Sequence, residues 1–241
     1  MDTRREKYLQ ASKVYVDQTK HDDDVIGIIV SGSVIHGRLD KNSDIDVHVI
    51  LRPDCDYRER GNTWINGIEI ECFKNPPAQI KTYFAREQAR PHTAHMLAHG
   101  HIAYSSSSIV EELVATAKSI ITQVPPTLKP HELEFHKYFL DDDYKDLEDA
   151  ILNKDAVGTA LIRHKIINRC INVCCAVHRV RRGKDKRLVD QLDAIDSDFA
   201  AALRAAVGES GGQITSIVAL RTNTEDLLGG SRSLEWRMRS G

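Results

Sequence analysis

The sequence predicts an α+β fold, in which an α/β domain with a small mixed sheet (residues 1–124) is followed by an α-helical bundle (residues 127–241). Short apolar runs rich in β-branched residues, which are typical of strands, precede the boundary. Three prolines, Pro125, Pro126 and Pro130, mark the boundary because they interrupt regular structure. Beyond them, apolar residues recur at helical spacing, which predicts the bundle.

The first domain begins with a helix and two strands. Residues 4–19 carry a rough apolar stripe, which predicts an amphipathic helix. The run 25–30 is short and β-branched, so it predicts a buried strand, and residues 45–51 predict a second strand. Between the two strands we expect a short helix near residues 34–38.

A β-hairpin is predicted next. The Asn66-Gly67 pair between apolar flanks is a strong hairpin signal, and it joins residues 63–65 to a returning strand over 68–73. Beyond the hairpin, the pattern predicts helices at about 78–90, 92–100 and 109–124, with a last short strand at 102–104.

The second half is predicted to contain four helices, over residues 131–153, 155–181, 185–207 and 211–228. The second of these is apolar on most sides, which is typical of the central helix of a bundle. Trp236 is expected to pack the C-terminal tail back onto the bundle.

The composition narrows the functional classes. With 241 residues, of which 41% are hydrophobic, the chain has the composition of an ordinary globular protein. Its net charge of −2 produces no strong electrostatic field that would favour binding to nucleic acid or membranes. Five cysteines without a Cys-x-x-Cys pair predict neither a disulfide framework nor a zinc site. The N-terminus lacks a signal-peptide pattern and no apolar run reaches membrane-spanning length, so we expect a cytoplasmic protein.

The strongest chemical signal is a pair of carboxylates at the start of the second strand. Asp44 and Asp46 are two residues apart on an extended chain, which places both side chains on one face, about 7 Å apart. Such carboxylates repel each other unless a cation lies between them, and hard oxygen ligands suit Mg²⁺ shared with a phosphate. Two-metal phosphoryl or nucleotidyl transfer requires this arrangement.

A candidate phosphate-binding segment lies between the two strands. Gly32 allows the backbone to approach a ligand closely, and Ser33 offers a hydroxyl and a backbone N–H. The short helix that follows directs its N-terminal dipole toward an anion at Ser33. Ser43 offers a second phosphate contact, and Arg38 and Lys41 are nearby cations that would otherwise belong to a solvated loop.

These residues together resemble a known signature. Gly32-Ser33, then Gly37, then the Ser-Asp-Ile-Asp of residues 43–46 is similar to the pattern of the polymerase-β-like nucleotidyltransferase superfamily, and most similar to the small bacterial aminoglycoside nucleotidyltransferases. The resemblance implies transfer of a nucleoside monophosphate, AMP from ATP or another NTP, to a hydroxyl of a small-molecule acceptor. It also implies two Mg²⁺ ions, release of pyrophosphate, and an antibiotic of the aminoglycoside type as a candidate acceptor.

The resemblance requires a third acid on a later strand. Glu69 and Glu71 share one face of the returning hairpin strand, and the period of two does not choose between them. The family pattern, an acid followed by a short apolar strand end, favours Glu71 as metal ligand and as acceptor of the proton from the attacking hydroxyl. The alternative is that both glutamates are solvent-face charges on an edge strand.

Other activities share the signature. A nucleotidyltransferase with a protein or RNA acceptor, as in toxin–antitoxin pairs, is one alternative, although the small net charge and the lack of a basic stripe argue against nucleic acid. A non-catalytic nucleotide-binding module is another, against which the intact Ser-Asp-x-Asp argues. The acceptor, the preferred NTP and the oligomeric state stay open at this point.

The bundle is predicted to form the far wall of the acceptor site. Asp143, which flanks the apolar stripe of the first bundle helix, is predicted to line the acceptor pocket and pair with a cationic group. The alternative is a salt bridge between Asp143 and a bundle arginine. In the first domain, His95 and His99 of the histidine-rich segment 92–101 are four residues apart on a predicted helix, but no Glu or Cys completes a metal site there.

Overall fold

The computed structural model confirms the α+β fold. The chain forms two compact units, Met1–Gln123 and Val124–Gly241. The first contains a five-stranded mixed sheet, and the described part of the second contains only helices. None of the helices in the described ranges is both long and apolar enough to cross a membrane. The structure describes residues 3–37, 39–87, 90–208 and 214–237.

The first unit follows the predicted order of elements closely. Its sheet has the strand order β3-β4-β2-β1-β5, in which β2 and β4 are parallel and the other neighbours are antiparallel. The elements are α1 (Thr3–Thr19), β1 (Val25–Ser31), α2 (Ser33–His36), β2 (Ile45–Leu51), β3 (Glu59–Ile65), β4 (Ile68–Asn75), α3 (Pro77–Arg86), α4 (His92–His99), β5 (His101–Ser105) and α5 (Ser108–Thr122).

The two faces of the sheet bury different sets of apolar residues. Along β2, Val47 and Val49 belong to a core that includes Tyr8 and Ala11 of α1. Ile50 points to the other face, where it belongs to a second core formed with α3, α4 and α5. Toward the start of β2, this second face carries partly exposed acidic side chains instead of apolar ones, so it can accommodate a polar ligand.

The hairpin prediction is confirmed. Asn66 and Gly67 both have positive φ values, 53° and 74°, as a two-residue type I′ turn requires. The turn pairs Ile65 with Ile68 and thereby sets the register of β3 and β4. Since β4 lies between β3 and β2, the interpretation of its glutamates as charges on an edge strand is wrong.

One helix of the first unit is shorter than predicted. The pattern predicted a helix to about residue 90, but α3 ends at Arg86. The carboxylate of the next residue, Glu87, accepts hydrogen bonds from the backbone N–H of Thr93 at 2.7 Å and from its hydroxyl at 2.9 Å. Glu87 therefore binds the first turn of α4, where a carboxylate satisfies free N–H groups.

The second unit packs its helices around a core that contains Leu140, Leu147, Ile166, Cys170 and Phe199. The tail packs as predicted, because the ring of Trp236 stacks on Tyr138 with a centroid distance of 4.8 Å. The elements are α6 (Pro130–Leu152), α7 (Ala156–Val177), a 3₁₀ turn (Asp185–Arg187), α8 (Leu188–Asp193), α9 (Ser197–Gly208) and α10 (Thr215–Leu227).

The prediction of one continuous helix over residues 185–207 is wrong. The chain leaves helical geometry between α8 and α9, where the Asp196 carboxylate accepts a hydrogen bond of 2.9 Å from the backbone N–H of Phe199. An aspartate that caps the following turn favours a new helix start over continuation of the old helix. The apolar period continues across this break, which is why the pattern alone did not show it.

Candidate active site

Gly32 forms the turn between β1 and α2. Its φ of 82° and ψ of −164° lie in a backbone region that residues other than glycine rarely adopt. A Cβ atom at Gly32 would collide with a carboxylate oxygen of Asp46. A glycine is therefore required here for two reasons, the backbone conformation and the close approach of the Asp46 side chain.

The turn around Ser33 is fixed by contacts on both sides. The N–H of Gly37 donates to the carbonyl of Ser33 at 2.9 Å, and a Cβ on Gly37 would lie 2.8 Å from the Cα of Ser33. From α1, the guanidinium of Arg5 donates to the carbonyls of Gly37 at 2.6 Å and Ile35 at 3.1 Å. These hydrogen bonds hold the backbone that follows Gly32 and thereby position Ser33 at the end of β1.

Ser43 shapes the entry into β2. Its hydroxyl accepts a hydrogen bond of 2.8 Å from the backbone N–H of Asp40, and its carbonyl accepts one of 2.8 Å from the Tyr8 hydroxyl. The Ser43 hydroxyl can still donate its own proton to a ligand oxygen. The predicted phosphate contact is thus compatible with the role of Ser43 in building the turn.

The acidic residues are brought together by strand register. In the parallel β2–β4 pair, Asp46 is directly opposite Glu71, and in the antiparallel β1–β2 pair it is opposite Ser31. Asp44, Glu69 and Glu71 line one concavity of about 330 Å³. The register thus places residues from distant parts of the sequence at a shared acidic site on one face of the sheet.

Two side chains of β3 bind the glutamates of β4. Arg60 donates to one oxygen of Glu71 from its Nη2 at 2.6 Å and from its Nε at 3.2 Å. Asn62 donates to a Glu69 oxygen at 2.6 Å. The hydrogen bond and ion pair between Arg60 and Glu71 raise the pKa of Arg60 above its ordinary value. Glu71 is the neighbour of Asp46 in the sheet and is neutralised by Arg60, whereas Glu69 has an uncharged partner.

The donor set fits a hard divalent cation. Carboxylate oxygens are the ligands that Mg²⁺ prefers, and it binds through one or two of them together with substrate phosphates. Asp44 and Glu71 line the same concavity, and Asp46 lies in register with Glu71. The missing Cβ of Gly32 leaves the space that the Asp46 carboxylate needs.

A comparison with protein families matches residues 13–95 to the family described as the nucleotidyltransferase domain. The match supports a nucleotidyltransferase domain in this chain. It extends from α1 to α4 and therefore includes the Gly32-Ser33 turn and the acidic residues of β2 and β4. Nucleotidyltransferases in general transfer a nucleoside monophosphate, which is the level of function that the match supports.

Comparison with solved structures finds a similar fold in a nucleotidyltransferase-like protein from Exiguobacterium sibiricum. The two chains have a TM-score of 0.52 and 14% sequence identity, over 91% of this chain and 74% of that one. At this level of identity the similarity concerns the fold alone. No curated protein matches the sequence.

Within the first unit, the structure brings most of the predicted site residues to one end of the sheet. Gly32 and Asp46 are in contact, and Asp44 and Glu71 share a concavity. Ser33 begins α2 immediately after Gly32, and Ser43 directly precedes Asp44. Arg38 lies outside the described residues, so its predicted role stays a prediction.

Sequence analysis missed His48, which lies on the acidic face of the sheet, two residues after Asp46. Only 3% of His48 is exposed, and its ring stacks on Phe73 with a centroid distance of 4.9 Å. Burial lowers the pKa of His48 to about 4, so the ring is neutral at pH 7. The other side of Phe73 is near Arg60, whose guanidinium carbon is 4.9 Å from the ring centroid. A histidine within an apolar strand pattern gives no sequence signal for this packing.

The prediction that Asp143 lines an acceptor pocket is wrong. Only 1% of Asp143 is exposed, and its two carboxylate oxygens bind Lys165 and Arg169 of α7, each at 2.6 Å. The alternative weighed above, a salt bridge to a bundle arginine, is the one that the structure shows. A carboxylate that is buried between two cations of its own unit is not available to a substrate.

Proposed function

We propose that the protein transfers a nucleoside monophosphate, AMP from ATP in the first instance, to a hydroxyl of a small-molecule acceptor and releases pyrophosphate. The observation that carries this proposal is the register of the parallel β2–β4 pair, which sets Glu71 beside Asp46. The concavity that Asp44 and Glu71 share adds the remaining carboxylate. Three acids in this relationship suit divalent cations, which would offset the negative charge that develops during phosphoryl transfer.

Asp44, Asp46 and Glu71 would hold two Mg²⁺ ions. When bound, the ions would offset the negative charge of the triphosphate and lower the pKa of the attacking hydroxyl. We assign to the Glu71 carboxylate the acceptance of the proton of that hydroxyl. To do so it must exchange its ion pair with Arg60, whose side chain is 70% exposed and can move into solvent.

The Gly32-Ser33 turn would bind phosphate oxygens of the nucleotide. Helix α2 has only four residues, so its dipole is weak and local donors must contribute most of the interaction. The backbone of the turn is held in place by Arg5 through the carbonyls of Ile35 and Gly37. The preformed turn reduces the entropy that nucleotide binding would otherwise cost.

The acidic face favours a cationic acceptor such as an aminoglycoside. Glu69 lines the same concavity as Asp44 and Glu71, and its hydrogen-bond partner Asn62 is uncharged, so the negative charge of Glu69 remains to attract a cation. In the second unit, by contrast, a cavity of about 840 Å³ is lined by three cations, Lys154, Arg163 and Arg182, and by one carboxylate, Asp185, so its lining disfavours a polycation. We therefore assign recognition of the acceptor amine to Glu69.

The test is a screen of pyrophosphate release with the full chain, Mg²⁺, each of the four NTPs and a panel of acceptors. The panel pairs each aminoglycoside with a neutral polyol of similar size. We expect acceptor-dependent release that is strongest with ATP and an aminoglycoside. The proposal would be overturned if no acceptor in the panel supported pyrophosphate release and the protein also failed to bind Mg·ATP. Release with neutral polyols alone would retain the transfer reaction and reject the role of Glu69.

A further inference from the structure

Three metal-ligating side chains of different chemistry meet in the second unit, apart from the acidic face of the sheet. Cys174 and His178 are four residues apart at the end of α7, and Asp196 is the cap of α9. Each residue offers one ligand atom, namely a sulfur, an imidazole nitrogen and a carboxylate oxygen. These three atoms lie within 4.8 Å of one another. The sequence pattern did not show this group because Asp196 is distant along the chain and no Cys-x-x-Cys accompanies it.

The distance between the nitrogen and oxygen ligands of this group suits a tetrahedral ion. The His178 Nε2 and the Asp196 Oδ2 are 3.3 Å apart. This is longer than the ~2.7–2.9 Å of a strong charge-assisted hydrogen bond. It equals the edge of a tetrahedron whose bonds to nitrogen and oxygen are ~2.0 Å long, as they are around Zn²⁺. The nitrogen and oxygen are thus already at the spacing of two ligands of one ion.

The surroundings orient two of the three groups. The second carboxylate oxygen of Asp196 accepts the N–H of Phe199 at 2.9 Å, which fixes the direction of the first. The backbone N–H of His178 donates to the backbone carbonyl of Cys174 at 3.1 Å. This helical hydrogen bond keeps both side chains on one face of the last turn of α7. A hydrogen bond to the second oxygen of a carboxylate ligand, as from Phe199 to Asp196, is a regular part of protein metal sites.

The group is buried on one side and open on the other. Cys174 is fully buried in the core of the second unit, whereas the side chains of His178 and Asp196 are 31% and 21% exposed. An ion can therefore enter from solvent and keep a water molecule as its fourth ligand. Burial, together with the nearby charges, raises the pKa of Cys174 to about 12, so the thiol without an ion is not reactive.

We propose that Cys174, His178 and Asp196 form a binding site for a thiophilic divalent cation of the Zn²⁺ class, with water as the fourth ligand. Binding displaces the thiol proton of Cys174 to solvent and forms a thiolate–metal bond. The ion joins the end of α7 to the start of α9 and stabilises the second unit. This site is independent of the proposed nucleotidyl transfer, because none of its ligands belongs to the first unit.

The test is a Co²⁺ titration of the full-length protein after treatment with a chelator. We expect the absorption of a thiolate–cobalt bond to appear with one ion per chain and to disappear when Zn²⁺ is added. Carboxylate sites such as Asp44 and Asp46 produce no thiolate–cobalt absorption, so binding there does not interfere. Wild-type protein without this absorption would overturn the proposal and leave the His178–Asp196 pair as an ordinary hydrogen bond.

The variants distinguish a metal site from a packing effect. Cys174→Ser should abolish the thiolate–cobalt absorption, and the neighbouring buried Cys175→Ser is the matched control that should retain it. His178→Asn should weaken Co²⁺ binding by about tenfold or more. Asp196→Asn keeps a cap for α9, and it should weaken binding without unfolding. Zn²⁺ should raise the thermal midpoint of wild type and of Cys175→Ser only; a rise in Cys174→Ser would contradict the proposed ligand set.

Discussion

Arg60 directs two donors at a single carboxylate oxygen of Glu71, with Nη2 at 2.6 Å and Nε at 3.2 Å. Its guanidinium also lies near the ring of Phe73, which belongs to the same strand as Glu71. In this arrangement a cation of the protein itself neutralises the acid that we propose as a metal ligand. A divalent ion must therefore compete with Arg60 for Glu71, and this competition leads to the first prediction.

Arg60→Gln should increase the affinity for Mg²⁺ in the absence of nucleotide. The ion pair that it removes is largely exposed and screened by solvent, so we expect a gain of about 1.5- to 5-fold. Isothermal titration calorimetry measures this directly. Arg58→Gln is the matched control, because Arg58 is an exposed arginine that donates to the Tyr83 hydroxyl and to neither glutamate. Weaker Mg²⁺ binding by Arg60→Gln would show that Arg60 supports the site instead of competing with the ion.

Asp44→Asn and Asp46→Asn should each abolish nucleotidyl transfer while the fold is retained. Loss of a metal carboxylate should reduce kcat by at least about two to four orders of magnitude, because the developing charge loses its stabilisation. Turnover is measured with the donor and acceptor found in the screen, and circular dichroism checks the fold. A well-folded variant with near-wild-type turnover would exclude that aspartate as a metal ligand.

Glu71→Gln and Glu69→Gln should have different kinetic effects. Glu71 is in register with Asp46, so Glu71→Gln should strongly reduce kcat at saturating NTP. Glu69 has Asn62 as its hydrogen-bond partner, so its variant should raise the KM for a cationic acceptor with a much smaller change in kcat. A larger loss of kcat in Glu69→Gln than in Glu71→Gln would assign the role of third acid to Glu69.

The elements that sequence predicted well are those with local causes. The Asn66-Gly67 turn and the alternation along β4 are encoded within a few residues, and so is the spacing of Asp44 and Asp46. Arg5 and Arg60 were missed because their partners are 30 to 32 and 11 residues away in sequence, and no pattern of spacing identifies such contacts.

The errors in the second unit have the same origin. The position of Asp143 beside an apolar stripe was compatible with both a cleft and a buried salt bridge. The choice depended on Lys165 and Arg169 of another helix. The break before α9 depended on Asp196, whose capping hydrogen bond competes with an apolar period that runs straight across it. In both cases the deciding interaction involves a polar group, whereas the pattern reports the apolar ones.

The last prediction concerns the pH dependence of stability that His48 produces. Burial lowers the pKa of His48 to about 4 in the folded state, while an exposed histidine in the unfolded chain has a pKa of about 6.5. As the pH falls, the unfolded state therefore binds its proton first, and folded stability decreases between about pH 6.5 and 4. The contribution to the free energy of unfolding that is lost between pH 7.5 and pH 5 should be about 2 kcal/mol.

Urea unfolding of the first unit, followed through the exposed Trp64, measures this loss at both pH values. His48→Phe keeps a ring next to Phe73 but cannot titrate, so its loss should be smaller than that of wild type by this amount, and His48→Leu serves as a second replacement without a titrating group. Equal losses in wild type and in both variants would show that His48 is protonated equally in the folded and unfolded states, contrary to its burial.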